Sequence, residues 1–232
     1  MGFNGFSKDI YWFYSELKKN NNKEWFYENK KFYEKEIKEA SKDLLTEMSQ
    51  RFASIGLPFV ADPKVSLFRI NRDIRFSSNK DPYKTNLGIY FPYNAKLGER
   101  LPESPGLYYH FAPEESFIGG GIHMPSSETL RALRIKIAND WEELYDITNA
   151  KEFKKEYPNE FYGEKLKRMP RGFDEKHPAA ELLKLKEFTV WTDLDHKVSY
   201  TSKLLDVLER KAVVIAPFLE FLFQSMTKKI FM

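Results

Sequence analysis

Apolar positions recur at helical spacing near the start of the chain and at strand spacing in its middle. Ile10, Phe13, Tyr14 and Leu17 follow the i, i+3, i+4, i+7 pattern of one helix face, with Ser7 placed to cap it. Asn20-Asn21-Asn22 interrupts that helix. A long second helix is predicted from about Lys23 to Ile55, with Phe26, Tyr33, Ile37, Ala40, Leu44, Met48 and Ile55 on one stripe. Gly56 stands where a left-handed terminator is expected, with Pro58 just beyond. The Lys/Glu run from Lys30 to Lys42 reads as the solvated face of this helix.

The middle third alternates at period two. Lys64 to Phe76 is predicted as a first strand, and Leu87, Ile89 and Phe91 mark a second. A stretch punctuated by Pro92, Gly98, Pro102, Pro105 and Gly106 precedes a strand from Leu107 to Ala112. Pro113-Glu114-Glu115 then turns the chain into a strand from Ser116 to Met124. Sequential strands with short links favour antiparallel pairing.

Helical spacing returns with Leu130, Leu133 and Ile137 behind a cap at Ser126 or Ser127, then with Trp141, Leu144 and Tyr145, and with Phe153. The chain breaks around Met169-Pro170-Arg171-Gly172-Phe173, and Ala179 to Leu185 is again helical. Phe188, Val190 and Trp191 suggest a last strand, and Tyr200 to about Phe223 a final helix kinked or split at Pro217. No repeat and no low-complexity linker interrupts this order. The fold class expected is α+β: a central, mainly antiparallel sheet of about 4–6 strands flanked by N-terminal and C-terminal helices, in one domain over 1–232.

Candidate chemistry concentrates in Arg69-Ile70-Asn71-Arg72-Asp73-Ile74-Arg75-Phe76 and the turn and strand start that follow it, through Lys80, Tyr83 and Lys84. Of the 37 Lys and Arg residues only ten are Arg, and three of those ten fall within the seven positions 69–75. Guanidinium in place of ammonium points to planar, bidentate bonding to a carboxylate or phosphate. As a strand, the stretch puts Phe68, Ile70, Ile74 and Phe76 on one face and Arg69, Asn71, Asp73 and Arg75 on the other. Arg72 falls on the apolar face, so it is either paired there or turned outward by a bulge. Two readings stand. Arg69, Arg72, Asp73 and Arg75 form a salt-bridge network that fixes the fold, or with Lys80, Tyr83 and Lys84 they form a cradle for an anion.

Composition narrows the classes. Hydrophobic residues make up 42% and aromatic residues 16%, enough for a sizeable, aromatic-rich core. Zero Cys removes disulfides, thiolate catalysis and thiolate metal ligation together. The net charge of +3 is mild and mixed, which permits a polyanion without arguing for one. Met1-Gly2-Phe3-Asn4-Gly5-Phe6 lacks the pattern of a signal peptide, and Ala212 to Phe223 is too short and interrupted to span a bilayer, so a cytoplasmic location away from membranes is expected.

Other constellations are weaker. Gly119-Gly120-Gly121, shortly before a helix start, could offer bare amides to an anion; close packing of another segment is the plainer reading. His110, His123, His177 and His196 lack metal-ligand spacing, so no metal site is expected. Trp25 could line a pocket or simply be core, and Arg171 is a further basic candidate beside a chain break.

Arg69-x-x-Arg72-Asp73-x-Arg75-Phe76 followed by Asn79-Lys80-x-x-Tyr83-Lys84 resembles the signature of the bacterial domain of unknown function 2461. Asn20-Asn21-Asn22-Lys23-Glu24-Trp25-Phe26 is similar to that family's N-terminal element, and Ser116 to Pro125 and Met169 to Phe173 are similar to its later blocks, the glycine block only loosely. The resemblance implies that Arg69, Arg72, Asp73, Arg75, Lys80 and Tyr83 are characteristic residues, and it implies no reaction and no cofactor. The expectation is a protein that binds a phosphorylated or carboxylated small molecule in a basic pocket. The alternatives are a nucleic-acid-binding module and a partner-binding protein whose Arg motif stabilises the fold.

Overall fold

The computed structural model describes residues 2–75, 78–94, 103–159 and 161–227. Helix α1 (Asp9–Lys19) buries Ile10, Phe13, Tyr14 and Leu17, and the Ser7 hydroxyl accepts the Asp9 amide at 3.2 Å. Asn22 caps α2 (Lys23–Phe32), its side chain accepting from the Trp25 amide. A π-helical turn (Tyr33–Glu39) joins α2 to α3 (Ala40–Ser54), and Gly56 follows at φ +68°, the left-handed value expected of a terminator. Tyr33, Ile37 and Ser41 are all buried, at steps of four residues. Each such step over-rotates an α-helix by about 40°. The wider π turn absorbs that drift and keeps the three on one face.

A short helix α4 (Pro63–Ser66) comes next, followed by the sheet: β1 (Leu87–Pro92), β2 (Gly106–Phe111) and β3 (Ser116–Ile122). Helices α5 (Ser127–Asn139), α6 (Trp141–Asn149), α7 (Lys151–Glu156) and α8 (Ala180–Leu183) lead to β4 (Phe188–Asp193). Helices α9 (His196–Ser199) and α10 (Lys203–Thr227) close the order. The four strands pair antiparallel as β1-β2-β3-β4, so the fold is α+β as expected.

Alternation gives the sheet two unlike faces. Ile89, Phe91, Leu107, Tyr109, Phe111, Ile118, Ile122, Phe188 and Val190 are buried on one face, and α10 packs against it. Gly120 sits on this face because a Cβ there would lie 2.5 Å from Ile215 Cδ1 of α10. Close packing by another segment, the plainer reading of the glycine run, is what this position requires. Among the described residues no helix is long and apolar enough to cross a membrane.

Two expectations are corrected. Lys64 to Phe76 is not a strand: Asp62 accepts from the Lys64 amide at 2.9 Å and starts α4, with Pro63 in its first turn. Beyond α4 the chain only bridges the sheet edge at Leu67↔Ile89 and then pairs with its own return at Asn71↔Tyr83. The cap and the proline outweigh the alternation, because both act locally. Phe76 lies outside the described residues. The second concerns Pro217: of the kink or split expected there, the split does not occur, since α10 runs through Pro217 as one helix. Pro217 is exposed while Ile215, Phe218 and Leu219 are buried, so the lost hydrogen bond falls on the solvent side.

Among the described residues, one ion pair lies in the interior. Lys211 Nζ is 3.0 Å from Glu156 Oε2 with both side chains under a tenth exposed, and Arg210 Nε donates to Glu156 Oε1 at 3.1 Å. Removing one buried partner strands the other. Glu156→Leu strands the buried Lys211 and should therefore lower unfolding stability by about 3–5 kcal/mol in urea titration. Glu156→Leu combined with Lys211→Met should recover most of it. A single variant as stable as the parent would mean that the pair contributes nothing.

Candidate functional site

The segment Leu67–Asn71 separates two concavities, and Phe68 lines both. The first is a groove of about 630 Å³ between this segment and the long helical stretch. Lys23, Tyr27, Lys30, Glu34 and Lys38 line it at helical spacing, from α2 into the π turn. Arg69, Ile70, Asn71 and Tyr83 form the opposite wall. The two walls are tied by Asn21. Its Oδ1 accepts the Tyr83 amide at 3.1 Å and its Nδ2 donates to the Tyr83 carbonyl at 3.0 Å. Phe26 stacks on the Tyr83 ring with centroids 4.1 Å apart. Burial pushes the Tyr33 phenol up to about 12, with the Glu34 carboxylate adding to the shift, so this hydroxyl stays protonated and can donate.

Only part of the Arg motif reaches the groove. Arg69 lines it, with its guanidinium 4.0 Å from Asp73. Arg75 instead grips Asp73 through Nε at 3.0 Å and Nη2 at 2.7 Å, and the Arg75 amide also donates to that carboxylate. Those bonds hold the Asp73 carboxyl well below the usual carboxylate range, which suits an ion-pair acceptor better than a base. Arg72 is half-buried; its Nη2 makes a long bond of 3.4 Å to the Tyr83 carbonyl and its Nε has no partner. Lys80 donates to the Ile74 carbonyl at 2.9 Å. The Lys84 ammonium sits 5.1 Å over the Phe68 ring.

The groove therefore joins Arg69 and Tyr83 to Lys23, Lys30 and Lys38, while Arg72, Arg75, Lys80 and Lys84 do not line it. Trp25 packs on Phe13 and Trp12, outside the groove. Arg171 is exposed in a turn and lines neither concavity. Gly120 and Gly121 lie within β3, where pairing with both β2 and β4 engages their amides instead of leaving them bare. The signal for the missed lysines was their helical spacing through Tyr27, and for Asn21 it was the triple-asparagine block.

The second concavity, about 650 Å³, lies over the sheet face turned away from α10. His110 stacks on Phe117 at 4.6 Å. The Tyr108 hydroxyl and the Asn86 amide both approach His110 Nδ1, at 3.1 and 3.5 Å, which makes that nitrogen the acceptor and leaves the proton on Nε2. Nε2 is buried without a hydrogen-bond partner, 3.6 Å from Glu115 Oε1. Burial pushes the His110 pKa down to about 4, so the ring is neutral at physiological pH. Nearby, His123 Nδ1 is 2.5 Å from Glu187.

The family described as "Conserved hypothetical protein (DUF2461)" matches residues 9–221 of the 232. No curated protein and no solved structure matches the chain.

Folded His110 takes up its proton only near pH 4, whereas an unfolded histidine does so near 6.5. Between these values the unfolded chain binds more protons, so this group's contribution is complete above pH 6.5 and is lost as pH falls towards 4. The loss amounts to about 3 kcal/mol at most. Urea titrations of the parent and His110→Gln at pH 7 and pH 4.5 should converge at the lower pH. Equal pH slopes in the two proteins would contradict the assignment, as would a His110 ring resonance titrating near 6.5.

Proposed function

The chain thus belongs to this family of conserved hypothetical proteins, and we propose that it binds a phosphorylated or carboxylated small molecule in the groove between α2 and Arg69. One observation carries the reading. Among the described residues, four cationic side chains (Lys23, Lys30, Lys38 and Arg69) and a single carboxylate line the groove, and that carboxylate, Glu34, is already bonded to Lys38 at 2.7 Å. An anion entering there meets converging positive charge against an apolar wall, where the attraction is stronger than in open water. Arg69 offers a bidentate fork, the lysines offer point charges, and Asn71 and Tyr33 add neutral polar groups that fix orientation.

A nucleic-acid strand is the second reading, favoured by Tyr27. This ring is 79% exposed between Lys23 and Lys30, as a platform for base stacking would be. A steep loss of affinity with salt would favour a strand over a small ligand.

Thermal unfolding in the presence of nucleotides, sugar phosphates and dicarboxylates tests the proposal. A ligand at 100 times its Kd adds about 2.7 kcal/mol, a rise of roughly 5–11 °C in Tm for a chain of this size. Lys30→Ala with Arg69→Ala should abolish the rise and leave the unliganded Tm unchanged, since both side chains are exposed. Flat curves across the panel, or a rise that survives the double variant, would reject the groove as an anion site.

A further inference from the structure

The face of the sheet turned away from α10 carries a second, chemically opposite site. Its register sets Tyr90, Tyr108, Gly119 and Trp191 side by side across the four strands. His110 and Phe117 flank this row on one side, and Gly106, Gly121 and Thr189 on the other. Gly119 and Gly121 put no side chains between Tyr108 and Trp191, and Gly106 lies under the Tyr90 ring, so aromatic rings stand around a low floor. Both edges of the sheet add a wall. The Phe68 amide donates to the Gly88 carbonyl at 3.1 Å beyond β1, and the Tyr162 amide donates to the Thr189 carbonyl at 2.9 Å beyond β4. Each single bridge blunts a strand edge and swings an aromatic ring over the cleft.

The lining defines the ligand. Among the described residues no Lys or Arg lines this cleft, although the chain has 37 of them; Glu103 and Glu115 do. Glu115 is 64% exposed, and its neighbour His110 is neutral, so its negative charge is not cancelled there. Three buried side-chain polar atoms among the described residues lack a hydrogen-bond partner, and two of them, His110 Nε2 and Thr189 Oγ1, belong to residues of this cleft. Unpaired buried polar atoms in a folded protein call for a water or a ligand. Ring faces attract cations as well as flat rings, and a carboxylate at the rim repels anions.

We propose that this cleft binds a flat aromatic ligand bearing a protonated amine, with its ring between Tyr108 and Trp191 and its ammonium at Glu115. The site is independent of the basic groove, although Phe68 borders both.

Tryptamine and indole-3-propionate, which share a ring and differ in the sign of their charge, are the probes. Isothermal titration should give saturable binding of tryptamine and none of indole-3-propionate. Glu115→Gln should weaken tryptamine binding by roughly fivefold, the size of one partly exposed ion pair. Trp191→Ala should weaken it further. If that variant fails to fold, Tyr162→Ala removes a wall that is already 56% exposed and should act in the same direction. The Lys30→Ala/Arg69→Ala protein should bind tryptamine as the parent does, so loss of the groove reading and loss of this one remain distinct. Equal affinity for both probes, no binding of either, or full affinity in Glu115→Gln would overturn the proposal.

Discussion

The contact between β3 and α10 governs the rest of the molecule. Ile215 occupies the space that a side chain at Gly120 would need, and this brings the longest helix close to the middle of the sheet. Because side chains alternate along a strand, a one-residue slip of β3 would bring Gly119 or Gly121 to the helix and turn Ile118 and Ile122 away from it. The register is thereby fixed across the central strands. The same alternation decides what the opposite face presents: Tyr108, His110, Phe117 and Trp191 stand there because Leu107, Tyr109, Ile118 and Val190 are committed to the core.

Much of the fold was legible in the sequence because its signals are local. The stripe of Ile10, Phe13, Tyr14 and Leu17, the terminator Gly56 and the alternation of Leu107 to Phe111 each specify their element within a few residues. The stretch after Asp62 misled for the same reason in reverse. Its alternation is real, yet a cap and a proline decide its first turn, and the sheet edge is then reached through a single bridge at Leu67. The groove was half legible. Arg69 stood out by residue type, but Lys23, Lys30 and Lys38 look like any solvated helix face until a segment about forty residues further on packs beside them. His110 carried no motif at all; its character comes from burial and from Tyr108 and Asn86, contacts that only the folded sheet creates.

The Arg motif serves two purposes at once. Asp73 and Arg75 hold each other and shape the loop, which answers to the structural reading, while Arg69 is left facing a concavity. Three guanidiniums lie beside one acid in sequence, but in space only two of them reach it. Asp73 binds Arg75 through two guanidinium nitrogens and touches Arg69 at the limit of contact, while Arg72 turns to a carbonyl.

Asn21 bonds both the amide and the carbonyl of Tyr83, across 62 positions of chain. A contact of that separation closes a long loop, and loop-closure entropy delays such contacts relative to helical turns and hairpins. The groove is therefore expected to close after the helical turns and hairpins around it have formed. By the same logic it is an early place to open, since two side-chain hydrogen bonds and a stacked ring hold the walls where a whole ladder holds the sheet. Loss of those two hydrogen bonds and that stack would loosen the walls without breaking any strand pairing of the sheet.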